Sequence, residues 1–164
     1  MRGVYLLLGS NLQDREGLLK QAVEEIEISV GKVLKASSVY ESEAWGVTDQ
    51  PAFLNQVLEV ETALEAYPLL MAIQQIEIKL GRVRHERWGE RTMDIDILFF
   101  GEEVLQSQRL TVPHPELHNR RFTLLPLIEV VKNKQHPTLG YTLEHLLEQC
   151  PDKLKAWVYK PEMK

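Results

Sequence analysis

The 164-residue sequence predicts an α/β (α+β) domain: a βαββαβ core with a mainly antiparallel sheet, helices packed on it, and C-terminal additions. Three observations predict it. Residues 4–8, 32–44, 53–61 and 93–100 are short apolar or alternating runs bounded by turn residues, the pattern of strands. Apolar residues at helical spacing lie between the first and second runs and between the third and fourth. The composition, 44% hydrophobic and 26% charged, is that of an ordinary globular chain long enough to bury a core without staples.

Each element has a local reason. Residues 4–8 are apolar at every position and end at Gly9-Ser10-Asn11, as a strand buried on both faces would. Asp14 is placed to cap a helix carried by Leu19, Ala22, Val23, Ile26 and Val30, with Gly31 as its stop. Residues 32–44 are rich in β-branched and small polar residues and read as the second strand. A turn-rich connection, 45–51, leads to the third strand at 53–61. Tyr67-Pro68 opens a second helix on Leu69, Ile73, Ile76 and Leu80, ended by Gly81. After the polar loop 82–92, the fourth strand runs over 93–100. This order is the split βαβ, or ferredoxin-like, arrangement. Residues 124–131 fit either helix or strand, and 142–150 fit a short helix capped by Thr142. No repeat, low-complexity tract or linker divides the chain, so residues 1–164 are expected to form one domain.

The net charge of −5 argues against a global nucleic-acid binder, so any basic site must be local. A single cysteine, Cys150, excludes an internal disulfide framework and a Cys-based zinc site. The five-residue apolar run near the N-terminus is too short for a signal-peptide core or a membrane span, and a cytoplasmic protein is expected.

The sharpest chemical feature is Asp94-Ile95-Asp96 in the fourth strand. Strand alternation puts Asp94 and Asp96 on one face, about 6.5–7 Å apart by the rise per residue. Two carboxylates that close repel each other, and a divalent cation relieves the repulsion, with hard oxygen ligands suiting Mg²⁺. The plain alternative is an exposed strand edge with two solvated aspartates.

Directly before them, Arg82, Arg84, Arg87 and Arg91 crowd a loop that also holds Trp88-Gly89. Guanidinium groups match phosphate oxygens in pairs. A solvated loop pairing with Glu86 and Glu90, or an RNA-binding loop, would use the same residues. Adjacency favours a polyphosphate bridged to the chain by Mg²⁺, although no P-loop and no kinase-type glycine loop is present. Gln74 and Glu77 share a face of the second helix, Phe53 and Asn55 a face of the third strand. His114 and the pair Arg120-Arg121 follow in the loop region beyond.

Taken in order, the stretches 8–12, 49–55, 81–84, 86–89, 91–97 and 109–114 closely resemble the 6-hydroxymethyl-7,8-dihydropterin pyrophosphokinase family of the folate pathway. The resemblance spans roughly residues 1–130. It implies transfer of a pyrophosphoryl group from MgATP to the pterin hydroxymethyl, with release of AMP. It implies that Asp94 and Asp96 hold two Mg²⁺ ions, and that Arg82 and Arg91 act with them in catalysis. Gln74, Glu77, Arg82, Arg84, Arg87, Trp88, Arg91, Ile97, Arg109, Thr111, His114 and Arg120 are expected on the ATP side. Ser42, Glu43, Trp45, Phe53, Asn55, Trp88 and Phe122 are expected around the pterin, with Phe122 stacked on it and Asn55 bonded to its edge. Phe53 stands where many members carry Tyr. The implied partners are two small molecules, ATP and the pterin, bound by a monomer without nucleic acid or membrane. The competing classes are an RNA-binding sheet domain and an ATP-binding sensor without turnover.

Overall fold

The computed structural model describes residues 2–10, 14–42, 52–82, 93–152 and 154–160. Strand β1 (Arg2–Ser10) is followed by helix α1 (Arg15–Ser29), β2 (Gly31–Ala36), β3 (Tyr40–Ser42), β4 (Phe53–Thr62), α2 (Ala66–Glu77) and β5 (Asp94–Phe100). The C-terminal additions are a small hairpin, β6 (Leu105–Gln106) with β7 (Thr111–Val112), then α3 (Arg121–Val130), α4 (Leu143–Glu148) and β8 (Ala156–Val158). In the main sheet the order is β5-β1-β4-β3-β8, with β2 also on β4. Every pairing in it is antiparallel. This is the βαββαβ core read from the sequence, extended by one strand.

Two cores explain why β1 is apolar throughout. On one face Leu6, Leu8, Leu54, Leu58 and Ile95 meet Ala22 and Ile26 of α1 and Leu69 and Ile73 of α2. On the other, Leu7, Val57, Leu98 and Phe99 meet Leu124 and Leu127 of α3 and Leu143 and Leu146 of α4. The C-terminal additions therefore close the second face of the sheet, which a strand alternating apolar and polar residues would have left to water. Of residues 124–131, undecided by periodicity, 124–130 are helix because that face requires a covering layer, and Val131 is its extended C-cap.

Local expectations fare unevenly. Asp14 does cap α1, accepting the Gly17 N–H at 3.1 Å, and Thr142 caps α4 through His145 N–H at 3.2 Å. Gly31 directly follows the C-cap of α1, Val30, as expected of its stop, and also opens β2. A Cβ there would sit 2.1 Å from the Glu61 carbonyl oxygen, so close strand approach is what demands glycine. The expected second strand is two strands, because Ser37 breaks the ladder. Its N–H donates to Val57 O at 2.9 Å, and its hydroxyl accepts the Val57 N–H at 2.9 Å. Gly81 ends the second helix as expected, with φ 107° at the end of a π-helical turn, Ile78–Arg82.

Candidate active site

The register of three strands builds the floor of a cavity. Gly9 lies opposite both Asn55 of β4 and Asp94 of β5, and Leu7 lies opposite Asp96. These residues share the α3 side of the sheet, but α3 begins only at Arg121 and leaves the end of that face uncovered. The resulting cavity, about 180 Å³, is lined by Leu7, Gly9, Ser42, Phe53, Asn55, Asp94, Asp96, Arg120 and Phe122. A Cβ at Gly9 would make ordinary contact at the floor, 3.4 Å from Asn55 Oδ1 and 3.8 Å from the Phe53 ring.

Seven residues expected from the sequence thus meet in one place: Ser42, Phe53, Asn55, Asp94, Asp96, Arg120 and Phe122. Ser42 and Asn55 are both buried, and the Asn55 amide donates to Ser42 Oγ at 2.9 Å. The Arg120 guanidinium lies 5.7 Å from the centre of the Phe122 ring, placing a cation and an aromatic face together at the rim. Asp94 and Asp96 both face the cavity, as alternation requires.

The other described candidates lie outside the cavity lining. His114 is tied to β5 by its N–H to Leu98 O at 2.9 Å. Its Nδ1 accepts the Glu116 N–H at 3.1 Å, so the neutral ring carries its proton on Nε2. Burial lowers the His114 pKa, the Asp96 charge opposes that, and the Arg120 charge lowers it further. His114 is therefore close enough to Asp96 to feel the carboxylate. Arg109 is exposed, with its guanidinium 5.0 Å from the centre of the Tyr67 ring, and Thr111 sits in β7.

Gln74 and Glu77 do not share an environment. Gln74 is exposed, whereas Glu77 is 5% exposed and accepts the Ile95 N–H at 2.9 Å. Glu77 thus satisfies an edge-strand donor between the two aspartates. Ile97 points to the opposite face, into the core under α1 and α2. Of Arg82 the backbone alone is described, at the end of the π-helical turn. Glu43, Trp45, Arg84, Arg87, Trp88 and Arg91 lie outside the described residues.

Leu7 and Gly9 are lining residues that sequence reasoning missed. Strand alternation puts them on one face, but only the register of β1 against β5 shows that this face carries the aspartates. Among the described residues no cluster of three or more His, Cys, Asp or Glu could hold a metal ion, and no helix is long and apolar enough to cross a membrane.

Comparison with known proteins identifies the family. The family model described as 7,8-dihydro-6-hydroxymethylpterin-pyrophosphokinase matches residues 5–132. A Haemophilus influenzae protein named 2-amino-4-hydroxy-6-hydroxymethyldihydropteridine pyrophosphokinase is 41% identical over 149 residues, covering 90% of this chain and 92% of its own. A Bacillus subtilis protein of the same name is 46% identical over 127 residues, covering 77% and 76%. Among solved structures, Plasmodium falciparum HPPK-DHPS wild type with pteroate superposes with a TM-score of 0.73 at 16% identity, over 90% of this chain. The chain spans 44% of that larger one, and at this identity the likeness is one of fold.

Proposed function

Because the chain belongs to the 7,8-dihydro-6-hydroxymethylpterin-pyrophosphokinase family, we propose that its cavity binds the pterin and presents it to ATP for pyrophosphoryl transfer. The enzyme transfers a pyrophosphoryl group from ATP to the hydroxymethyl group of 6-hydroxymethyl-7,8-dihydropterin, a step of folate biosynthesis. The hydroxymethyl oxygen bonds to the β-phosphorus, the bridge to the α-phosphate breaks, AMP leaves with the electron pair, and the hydroxyl proton is lost. One observation carries the assignment to this cavity. The paired carboxylates Asp94 and Asp96 share a single small cavity with the flat-ring wall of Phe53 and Phe122 and the buried amide Asn55.

Transfer of this kind asks a protein mainly to position its reactants and to balance charge. Phe122 and Phe53 are assigned to the faces of the pterin, and Asn55, oriented by Ser42, to its hydrogen-bonding edge. Arg120 is assigned to phosphate charge, and the arginines 82, 84, 87 and 91 to the same task from the preceding loop. Neutral His114, with its Nε2 proton, is assigned as a donor to a phosphate oxygen. Asp96 is the carboxylate assigned to receive the hydroxyl proton.

Asp94 and Asp96 fit Mg²⁺ by the chemistry of their donors: two carboxylates on one strand face, open to the cavity. Mg²⁺ is commonly held by one or two carboxylates together with substrate phosphates and water. When bound, it neutralises phosphate charge. Two such ions, a single domain over 1–164, a monomer and a cytoplasmic setting complete the reading.

The deciding experiment is a product assay with ATP, Mg²⁺ and the pterin, reading AMP against ADP. AMP formed only with the pterin supports the assignment. ADP, or ATP bound without turnover, refutes it.

A further inference from the structure

The family model ends at residue 132, yet a residue beyond it reaches the substrate wall. Asp152 is 5% exposed. Its Oδ2 accepts the N–H of Arg121 at 3.0 Å, and its Oδ1 accepts the N–H of Leu154 at 2.9 Å. Arg121 is the first residue of α3, and its two sequence neighbours, Arg120 and Phe122, both line the cavity.

That helix start has weak support of its own. Arg120 occupies the N-cap position but makes no side-chain cap. Residue 126 is proline, so the helix bond that the Phe122 carbonyl would accept from that position cannot form. The first turn of α3 therefore takes its cap from a carboxylate 31 residues away in sequence. A few residues further on, β8 pairs with β3 and sets Ala156 opposite Ser42, on the other wall of the cavity. One short C-terminal segment thus touches both supports of the pterin pocket.

We propose that Asp152 is a positioning residue for the pterin. It fixes the first turn of α3, and with it the angle at which Phe122 enters the cavity. The proposal rests on the assignment of this cavity to the pterin. Asp152 is not among the residues that line the cavity. Its effect should fall on the pterin more than on ATP, because Phe122 sits inside the capped turn. Arg120 lies just before that turn and is held separately, by its N–H to Leu117 O.

The test is steady-state kinetics on the full chain, with variants Asp152→Ala, Asp152→Asn, Arg121→Pro and Arg121→Ala. Proline is tolerated at the first position of a helix, and the extended Arg120 backbone (φ −126°, ψ 112°) suits a residue before proline. Arg121→Pro therefore deletes the N–H that Asp152 accepts and keeps the helix, and Arg121→Ala controls for the lost side chain. Asp152→Ala should raise the pterin KM about tenfold, as should Arg121→Pro relative to Arg121→Ala, with the ATP KM changing less than about twofold, as expected for a lost cap. Asp152→Asn should lie between, since an amide oxygen still accepts one bond.

A lower Tm with unchanged pterin KM would make Asp152 structural only and overturn the proposal. Should Asp152→Ala fail to fold, the comparison of Arg121→Pro with Arg121→Ala decides. Wild-type chain that forms no AMP with the pterin overturns the functional reading and the proposal together. Active wild type with unaffected variants overturns the proposal alone.

Discussion

The side-chain amide of Asn55 donates to Ser42 Oγ at 2.9 Å, a buried bond between neighbouring strands β4 and β3. It fixes the amide rotamer and leaves Oδ1 on the side of Gly9, at the cavity floor. A buried polar group held this way can tell a hydrogen-bonding ring edge from an apolar one, because the wrong partner leaves it unpaired.

Asn55→Ala should therefore lower kcat/KM for the pterin by roughly 10–100-fold, the worth of a buried hydrogen bond and its desolvated partner. ATP affinity should stay near wild type. Steady-state kinetics with the pterin and isothermal titration with ATP check the two halves, and equal losses for the two would refute the role.

Asp96→Asn should lower kcat by at least about 100-fold, consistent with removing charge stabilisation from phosphoryl transfer. The pterin Kd should change little, since the wall residues Phe53, Asn55 and Phe122 are untouched. Chelation of divalent ions should silence the wild type, and added Mg²⁺ should restore it. Full turnover by the Asp96→Asn enzyme with retained metal affinity would remove Asp96 from the chemistry.

Glu77 supports the aspartates through the backbone. Its carboxylate accepts the Ile95 N–H, and Ile95 lies between Asp94 and Asp96 at the edge of the sheet. Glu77→Ala leaves that donor unpaired and should cost about 1–3 kcal/mol of stability. Glu77→Gln keeps an acceptor oxygen and should recover most of the loss in urea unfolding. Equal destabilisation by both variants would mean that the carboxylate charge matters more than the bond.

His136 sets an acid limit on stability. It is buried, and its Nδ1 accepts the N–H groups of Thr138 at 3.2 Å and Leu139 at 3.1 Å, which requires a neutral ring. Burial lowers its pKa, and the positive charges of His118 and Lys134 add to the effect. Because the folded value lies below the unfolded one, about 6.5, the unfolded chain binds the extra proton as pH falls. The contribution is complete above about 6.5 and is lost as pH drops through the folded value. Tm should fall as pH drops below about 6.5, and His136→Asn, which still offers an acceptor, should flatten part of that slope. An unchanged slope in that variant would assign the acid limit to other groups.

Some of the site is legible in the chain because its geometry is local. Asp94 and Asp96 share a face for any strand at residues 93–100, whatever lies beside it. The caps Asp14 and Thr142 are equally local, each closing on an N–H three residues ahead. Gly31 shows the limit of such reasoning. A glycine after a helix reads as a stop, but here it is required by the Glu61 carbonyl, 30 residues further on in the chain. Glu77 shows the same limit: its helix face can be counted, but its burial depends on where α2 lands against β5.

Sequence alone determined the βαββαβ order, the paired carboxylates and the run of arginines, because turn residues, alternation and helical spacing act over a few residues. The tertiary structure alone decided that Gly9 and Leu7 floor the cavity, that residues 121–130 are helix, and that Asp152 caps that helix. Those features depend on strand register and on closing the second apolar face of the sheet. Both are settled by burial and hydrogen bonding between distant segments, which no local pattern encodes.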